Sequence, residues 1–348
     1  MDVINLLTLL YGRAYWADAR KMIAMSGLSP AQGWEKTLER YADEDTDQEA
    51  VDSLSDFVKA HMISGDKSLQ LYKFNLQQRA LLLARYSSAR VANADLADSF
   101  PSIRSLGSYS GLSEQPRLIY KEENEDGHYF FFGSVRTYEH REKLEISSFP
   151  DSVQSRFRGY TDVYGVRNVD HDAIDVIWVP SRGRVVVVAS DSPREAGGAF
   201  CERGHVALRH FIRTALGEDV SPLNLFHGIE NVYRSDWGKI VELSFTTETG
   251  SVKNEKMRLR KVCLRKELFH KGGVAAVSDN ISPFHVSVDW LSGFGDDAKW
   301  RPEMTLHSGV RVLHSPNPSL YSAILRHSLS ARDLKVLKSR LVRLIKRQ

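Results

Sequence analysis

The stretch DAIDVIWVPSRGRVVVVAS, residues 172–190, decides the fold of this chain. Residues 174–179 and 185–189 are short apolar runs rich in β-branched side chains, and the glycine-containing turn Ser181–Arg184 separates them. This pattern predicts a β-hairpin. Four consecutive valines are typical of a strand that is buried on both faces, so both strands are expected in the interior of a sheet. Pro180 has no amide donor and is expected where the first strand ends.

An amphipathic helix is predicted to follow the hairpin and to lie on the sheet. After the Gly197-Gly198 break, apolar side chains recur at intervals of three and four residues. These are Leu208, Phe211, Ile212, Ala215 and Leu216. Gly217 is placed as the C-terminal stop of this helix. Residues 172–216 are therefore expected to form the centre of the fold.

The whole chain is predicted to be an α+β protein. Residues 1–104 have mainly helical periodicity and are expected to form an N-terminal domain, with a boundary in the serine-, glycine- and proline-rich segment 99–116. Residues 105–330 are expected to form a larger mixed domain around the central hairpin. Further strands are predicted at 117–121, 128–135, 240–246 and 256–264. Residues 331–348 are expected to form a basic amphipathic C-terminal helix.

The composition of the chain is that of a globular protein without a membrane span. Of its 348 residues 42% are hydrophobic and 26% are charged, and no window reaches the roughly 18 apolar residues that a span requires. Two cysteines cannot form a disulfide framework, which favours a cytoplasmic location. No resemblance to a known family extends over a substantial length of the sequence.

Basic residues are concentrated in the segment 253–271, which has eight Lys and Arg against two acids. If residues 256–266 form a strand, alternate side chains would display a row of cations about 7 Å apart. That spacing suits a phosphate backbone, so the segment is predicted to bind DNA or RNA. The predicted contacts are Lys256, Arg258, Arg260, Lys261, Arg265 and Lys266. The alternative is a solvated edge strand that its charges protect from aggregation.

The predicted C-terminal helix adds a second basic element. Residues 332–348 carry seven Lys and Arg against the single acid Asp333. Its leucine face is expected to pack on its own domain, with partner binding as the alternative. Its predicted nucleic-acid contacts are Lys338, Arg340, Arg343 and Arg347.

Asp175 on the first hairpin strand and Asp191 after the second are the candidate catalytic residues. Their spacing resembles that of PD-(D/E)xK nucleases, which implies a divalent ion, Mg²⁺, held between acids on neighbouring strands. The sequence departs from that pattern, because Pro193 stands two positions after Asp191 and the nearest base is Arg194, a poor substitute for lysine. No other metal site or cofactor is predicted.

The hypothesis favoured by these features is a nucleic-acid-associated binding or adaptor subunit of a multi-protein cytosolic system, without catalysis of its own. Prokaryotic antiviral defence is one setting for such a subunit, although no particular residue of the sequence indicates it. The first alternative is a metal-dependent nuclease that uses Asp175 and Asp191. The second is a protein-interaction scaffold, in which the acidic segment 43–56 and the C-terminal helix recruit partners. The sequence does not indicate an oligomeric state.

Overall fold

The computed structural model describes residues 2–42, 46–103, 106–108, 115–294 and 298–346. Helices and one large antiparallel sheet form within these residues, which confirms the predicted α+β class. The helices are α1 Val3–Tyr11, α2 Trp16–Met25, α3 Trp34–Ala42, α4 Gln48–Ser64, α5 Leu76–Ser87, α6 Ala94–Ser99, α7 Asp151–Gln154, α8 Gly198–Leu216, α9 Phe226–Arg234, α10 Leu268–Ala276, α11 Val310–Leu313 and α12 Ala331–Leu344. The strands are β1 Lys67–Lys73, β2 Arg117–Asn124, β3 Gly127–Leu144, β4 Val163–Pro180, β5 Val185–Asp191, β6 Lys239–Thr247, β7 Val252–Lys256, β8 Ile281–Asp289, β9 Ser292–Phe294, β10 Ala298–Trp300, β11 Glu303–His307 and β12 Ala323–Arg326.

Ten of the described strands form one sheet in the order β2-β3-β4-β5-β1-β12-β11-β8-β6-β7, and each neighbouring pair is antiparallel. β9 and β10 form a separate pair. β1 lies between β5 and β12, so a strand from the first part of the chain joins the sheet built by the later part. The proposed division after residue 104 stays a prediction.

Apolar side chains on the two faces of the sheet belong to separate cores. One core combines alternate residues of β1, β4 and β5 with α1, α2, α4, α9 and α12. The other combines the intervening residues of the same strands with α5 and α8. The valines of β5 alternate between the two cores, and Val186, Val187 and Val188 are each at most 1% exposed. Burial of both strand faces explains why this segment is an almost continuous apolar run.

The central hairpin and its helix form as predicted. β4 ends at Pro180, β5 starts at Val185, and α8 ends where Gly217 adopts a left-handed conformation with φ 73°. β3 is longer than the predicted 128–135, because its pairing with β4 continues from Gly127 to Leu144.

The predicted strand over residues 256–264 is wrong, because β7 ends at Lys256. Its neighbour β6 starts at Lys239, and Glu242 of β6 pairs with Lys256. Antiparallel register therefore leaves residues beyond 259 without a backbone partner on β6. Leu259, which the strand pattern expected to be buried, is 67% exposed. Alternation of apolar and basic residues was therefore not sufficient to make a strand here.

None of the helices in the described ranges is long and apolar enough to cross a membrane. Parts of two predicted segments lie outside the described residues: 43–45 of the acidic segment, and 104–105 with 109–114 of the predicted linker.

Candidate nucleic-acid interface

Three of the basic residues predicted in the late segment are already engaged with protein groups. Lys256 Nζ lies 2.7 Å from a carboxylate oxygen of Glu242, and Arg260 forms an ion pair with Glu303. Arg265 donates hydrogen bonds to backbone carbonyls, at 2.7 Å to Val232 and 2.8 Å to the next residue along α9. Arg265 is therefore half-buried and holds the end of α9.

The other three predicted residues of this segment remain exposed. Arg258 and Lys261 lie in the loop after β7, and Lys266 lies in a short 3-10 turn. Because the predicted strand is absent, these cations do not form the expected row of alternate side chains. Of the six predicted residues, three therefore remain as exposed cations without an ion pair to a described carboxylate, and they are dispersed instead of forming a continuous basic stripe.

The C-terminal helix α12 packs its leucine face on its own protein. Leu334, Leu337, Leu341 and Leu344 are buried, and Ser330 caps the N-terminus by accepting a hydrogen bond from the amide of Arg332. The basic face of the helix is left towards solvent, where Arg340 and Arg343 are exposed and Lys338 is half-buried. Arg347 lies outside the described residues.

A concave site beside α12, here called the basic groove, has a volume of about 680 Å³. Its basic lining residues are Lys73 at the end of β1, Arg184 in the hairpin turn, and Lys338, Arg343 and Lys346 at the C-terminal end of the chain. No Asp or Glu of the described chain lines the groove, and none of these five cations forms an ion pair with a described carboxylate. Five uncompensated positive charges converge on one cavity, which is the electrostatic requirement for binding a polyanion.

The walls of the basic groove are held in place by side-chain contacts. Arg79 of α5 donates hydrogen bonds to the turn carbonyls of Gly183 at 2.6 Å and Ser181 at 3.1 Å. Lys338 Nζ lies 4.9 Å from the ring centroid of Trp178. Burial lowers the pKa of Lys338, and the nearby charge of Arg79 lowers it further. An anion in the groove would relieve this repulsion and stabilise the charged lysine.

A second cavity of about 600 Å³, here called the lateral cavity, lies on the other side of Arg343. Arg343 and Arg340 line it together with the segment Arg234–Gly238. The lateral cavity is less positive than the basic groove, because its lining includes Asp236. Since Arg343 lines both cavities, the last turns of α12 offer cations on two sides.

Asp175 and Asp191 lie side by side where β4 and β5 separate. Asp175 Oδ1 accepts hydrogen bonds from the backbone amide of Asp191 at 2.9 Å and from Arg136 Nη2 at 2.7 Å. Asp191 accepts hydrogen bonds at 2.5 Å from Lys67 and from Arg13. We call these five residues the ionic centre. β1 thus places a lysine beside Asp191 in space, although no lysine stands two positions after Asp191 in the sequence.

The ionic centre replaces part of the backbone ladder between the two strands. The amide of Ile174 donates to Asp191 Oδ2 at 2.8 Å, and Lys67 Nζ donates to the carbonyl of Ile174 at 2.5 Å. Burial alone would raise the pKa of Asp191, but the charges of Arg13 and Lys67 outweigh burial and hold that pKa well below its usual range. The charged form of Asp191 is thus stabilised by the two cations beside it.

The geometry of the ionic centre bears on metal binding. Asp175 Oδ2 is buried and has no hydrogen-bond partner in the described part of the chain. Within the same residues, no group of three or more His, Cys, Asp and Glu is placed to hold a metal ion. The two candidate acids are close together, as the nuclease alternative requires, but cationic side chains lie beside both oxygens of Asp191 and beside Oδ1 of Asp175.

The helix α8 packs closely on the ionic centre. A Cβ atom on Gly204 would overlap the side chains of Arg136 and Ser190, so a larger residue would force these buried side chains to shift. The next residue, His205, has Nε2 2.9 Å from Ser68 Oγ. Burial lowers the pKa of His205 to about 3, with smaller contributions from Arg136 and another arginine of α8.

Sequence reasoning missed Lys73 and Arg184 in the groove, Arg79 behind its wall, and the three cations of the ionic centre, which are Arg13, Lys67 and Arg136. None of them stands in a dense basic run, and Arg182 beside Arg184 is the one Lys or Arg within three positions of any of them, so no local charge density marks these positions. Lys73 pairs in register with Val185, the residue after Arg184. Only that long-range pairing brings the two groove cations together.

Comparisons with protein-family models, with curated proteins and with solved structures found no match for this chain.

Proposed function

We propose that this protein binds nucleic acid through the basic groove, with α12 as its main contact element. The observation that carries this proposal is the convergence of five basic side chains, without a lining carboxylate in the described residues, on one cavity. The late segment has at most an auxiliary part in this proposal, through Arg258, Lys261 and Lys266. A role as an adaptor subunit of a larger system is a finer proposal that follows only if binding is found.

The proposal predicts a salt dependence of known size. Each phosphate that a Lys or Arg neutralises releases counterions, so affinity falls as salt concentration rises. Five such contacts would give a slope of log K against log salt of roughly −3.5 for a single strand and −4.5 for a duplex. A protein that met nucleic acid through uncharged contacts would show a slope near zero.

Fluorescence anisotropy with labelled oligonucleotides at about 50 mM salt tests the proposal. The double variant R343E/K346E reverses two groove charges and is expected to lower affinity by on the order of tenfold or more. The matched control R20E/K21E makes the same charge change on α2, where both side chains are exposed. Equal losses for the two variants, or no binding by the unaltered protein, would overturn the proposal.

The metal-dependent nuclease remains a second candidate, because Lys67 donates a hydrogen bond to the carboxylate of Asp191 and the backbone amide of Asp191 donates one to the carboxylate of Asp175. Incubation of plasmid DNA and of RNA with Mg²⁺ or Mn²⁺ tests it. Cleavage that is absent in D175A, while oligonucleotide affinity is retained, would establish the nuclease and refute the purely binding role. Neither binding nor cleavage would leave the interaction scaffold as the remaining hypothesis.

A further inference from the structure

The basic groove has an apolar interior as well as a basic rim. Its lining includes four aliphatic side chains, here called the apolar floor: Val185, Leu223, Val342 and Ile345. All four are half-buried, whereas four of the five basic residues are exposed. A ligand in this groove would therefore meet hydrocarbon inside and positive charge at the entrance.

We infer that the ligand of the basic groove is a single-stranded nucleic acid that places an unpaired base on the apolar floor. This inference rests on the proposed function and specifies its substrate class. A nucleotide offers the two surfaces that the groove complements, namely an apolar base face and an anionic phosphate. The volume of about 680 Å³ lies within the roughly 300–1,000 Å³ range of ligand cavities.

A duplex does not offer the same complementarity. Its bases are stacked and paired, so a concave site would reach only phosphates and groove edges unless a base were flipped out at a cost of a few kcal/mol. The walls of the groove are fixed on one side by the contacts of Arg79 with the hairpin turn. They are fixed on the other side by the buried leucines of α12. The groove therefore favours bases that are already unpaired.

The floor also predicts little preference for base identity. Among its aliphatic residues no side chain has a hydrogen-bonding group, and Ser339 is the uncharged polar residue of the groove lining. Contact with a base face is tolerant of sequence, because every base has an apolar face. Arg343 on the rim has a planar guanidinium group that can stack on the same base.

The experiment compares one 12-nucleotide sequence as a single strand and as a duplex, each titrated into the whole 348-residue chain. The unaltered protein is expected to bind the single strand about tenfold more tightly, because only that form exposes a base to the floor without the cost of unpairing. The uncharged variants V342T and L223N are each expected to lower single-strand affinity about three- to tenfold by the loss of apolar contact. Duplex affinity and the salt slope should stay unchanged, because both depend on the rim. Thermal unfolding by circular dichroism checks that both variants remain folded, and V342T is close to isosteric.

Each outcome separates this inference from the proposed function. Duplex binding as tight as single-strand binding, or floor variants without effect on the single strand, would overturn the inference and leave nucleic-acid binding in place. A nucleoside triphosphate that competes as well as the 12-mer would also overturn it, because the ligand would then be a mononucleotide. Failure to bind either form would overturn both.

Discussion

Replacement of Lys67 by methionine tests the role of the ionic centre as the joint between β4 and β5. Lys67 Nζ donates at 2.5 Å both to Asp191 and to the carbonyl of Ile174. Its side chain is 1% exposed, so water cannot replace these bonds. Methionine has a similar length and flexible stem, and it removes the charge without leaving a large cavity.

The expected loss in the free energy of unfolding follows from the groups that lose their hydrogen-bond donor in K67M. Two buried acceptors are left unsatisfied, each at about 1–3 kcal/mol, and removal of one partner of a buried ion pair costs about 3–5 kcal/mol in total. Asp191 keeps Arg13 and the amide of Ile174, so the expected loss is about 3–5 kcal/mol rather than more. The control K73M lies on the same strand at an exposed position and is expected to change stability by less than about 0.5 kcal/mol.

Urea unfolding followed by circular dichroism at pH 7 measures the two free energies of unfolding. A loss of less than about 1 kcal/mol in K67M, or equal losses in K67M and K73M, would refute the assigned role. The pH dependence provides a second readout. The depressed pKa of Asp191 contributes stability above the ordinary pKa of about 3.9, and this contribution is lost as pH falls towards the folded value. Without the charge of Lys67 the pKa of Asp191 rises, so acid unfolding of K67M should begin at a higher pH.

Three further predictions concern α8 and the late segment. His205 has a pKa of about 3 in the folded protein and about 6.5 when unfolded, so its contribution to stability is complete above pH 6.5 and is lost by about 1.4 kcal/mol per unit as pH falls below it. Urea unfolding at pH 6.5, 5.5 and 4.5 gives the slope of the free energy of unfolding against pH. This slope should be smaller in H205Q than in the unaltered protein by that amount, and equal slopes would contradict the assignment. G204A should lower the free energy of unfolding by about 1–3 kcal/mol, because the added Cβ overlaps Arg136. The control G198A adds a Cβ that meets nothing within 4 Å, so in urea unfolding it should be neutral or stabilising by up to about 1 kcal/mol. R265M should lower the thermal unfolding temperature, because the carbonyls at the end of α9 lose their donor, and should change oligonucleotide affinity by less than about twofold; a large loss of affinity with unchanged stability would show that Arg265 contacts nucleic acid.

The success and failure of the sequence-based predictions have different physical origins. The hairpin of residues 172–190 and the helix ending at Gly217 depend on local features: β-branched runs, a glycine turn and helical periodicity. The strand predicted over 256–264 was inferred from alternating basic and apolar residues, but a strand also needs a backbone partner, and β6 starts too late to supply one beyond residue 259. A strand is stabilised by its neighbour, which a local pattern does not reveal.

The candidate sites show the same distinction. The basic face of α12 was visible in the sequence, because seven cations lie within 17 residues. The rest of the basic groove was not visible, because Lys73 and Arg184 are separated by more than 100 residues and meet through the pairing of β1 with β5. Asp175 and Asp191 were selected from the sequence as a candidate pair on neighbouring strands, but the partners of Asp191 were not identified.

Local chemistry by itself determined the α+β class, the buried central hairpin, the amphipathic helix after it and the basic character of the C-terminal helix. Tertiary structure alone decided which cations share a cavity, which are neutralised by carboxylates, and that Lys67 bonds to Asp191 across 124 positions of the chain. The physical reason is that backbone propensity and hydrophobic periodicity act between residues close in sequence. Electrostatic interactions depend on distance in space, which is fixed only when the strands pair.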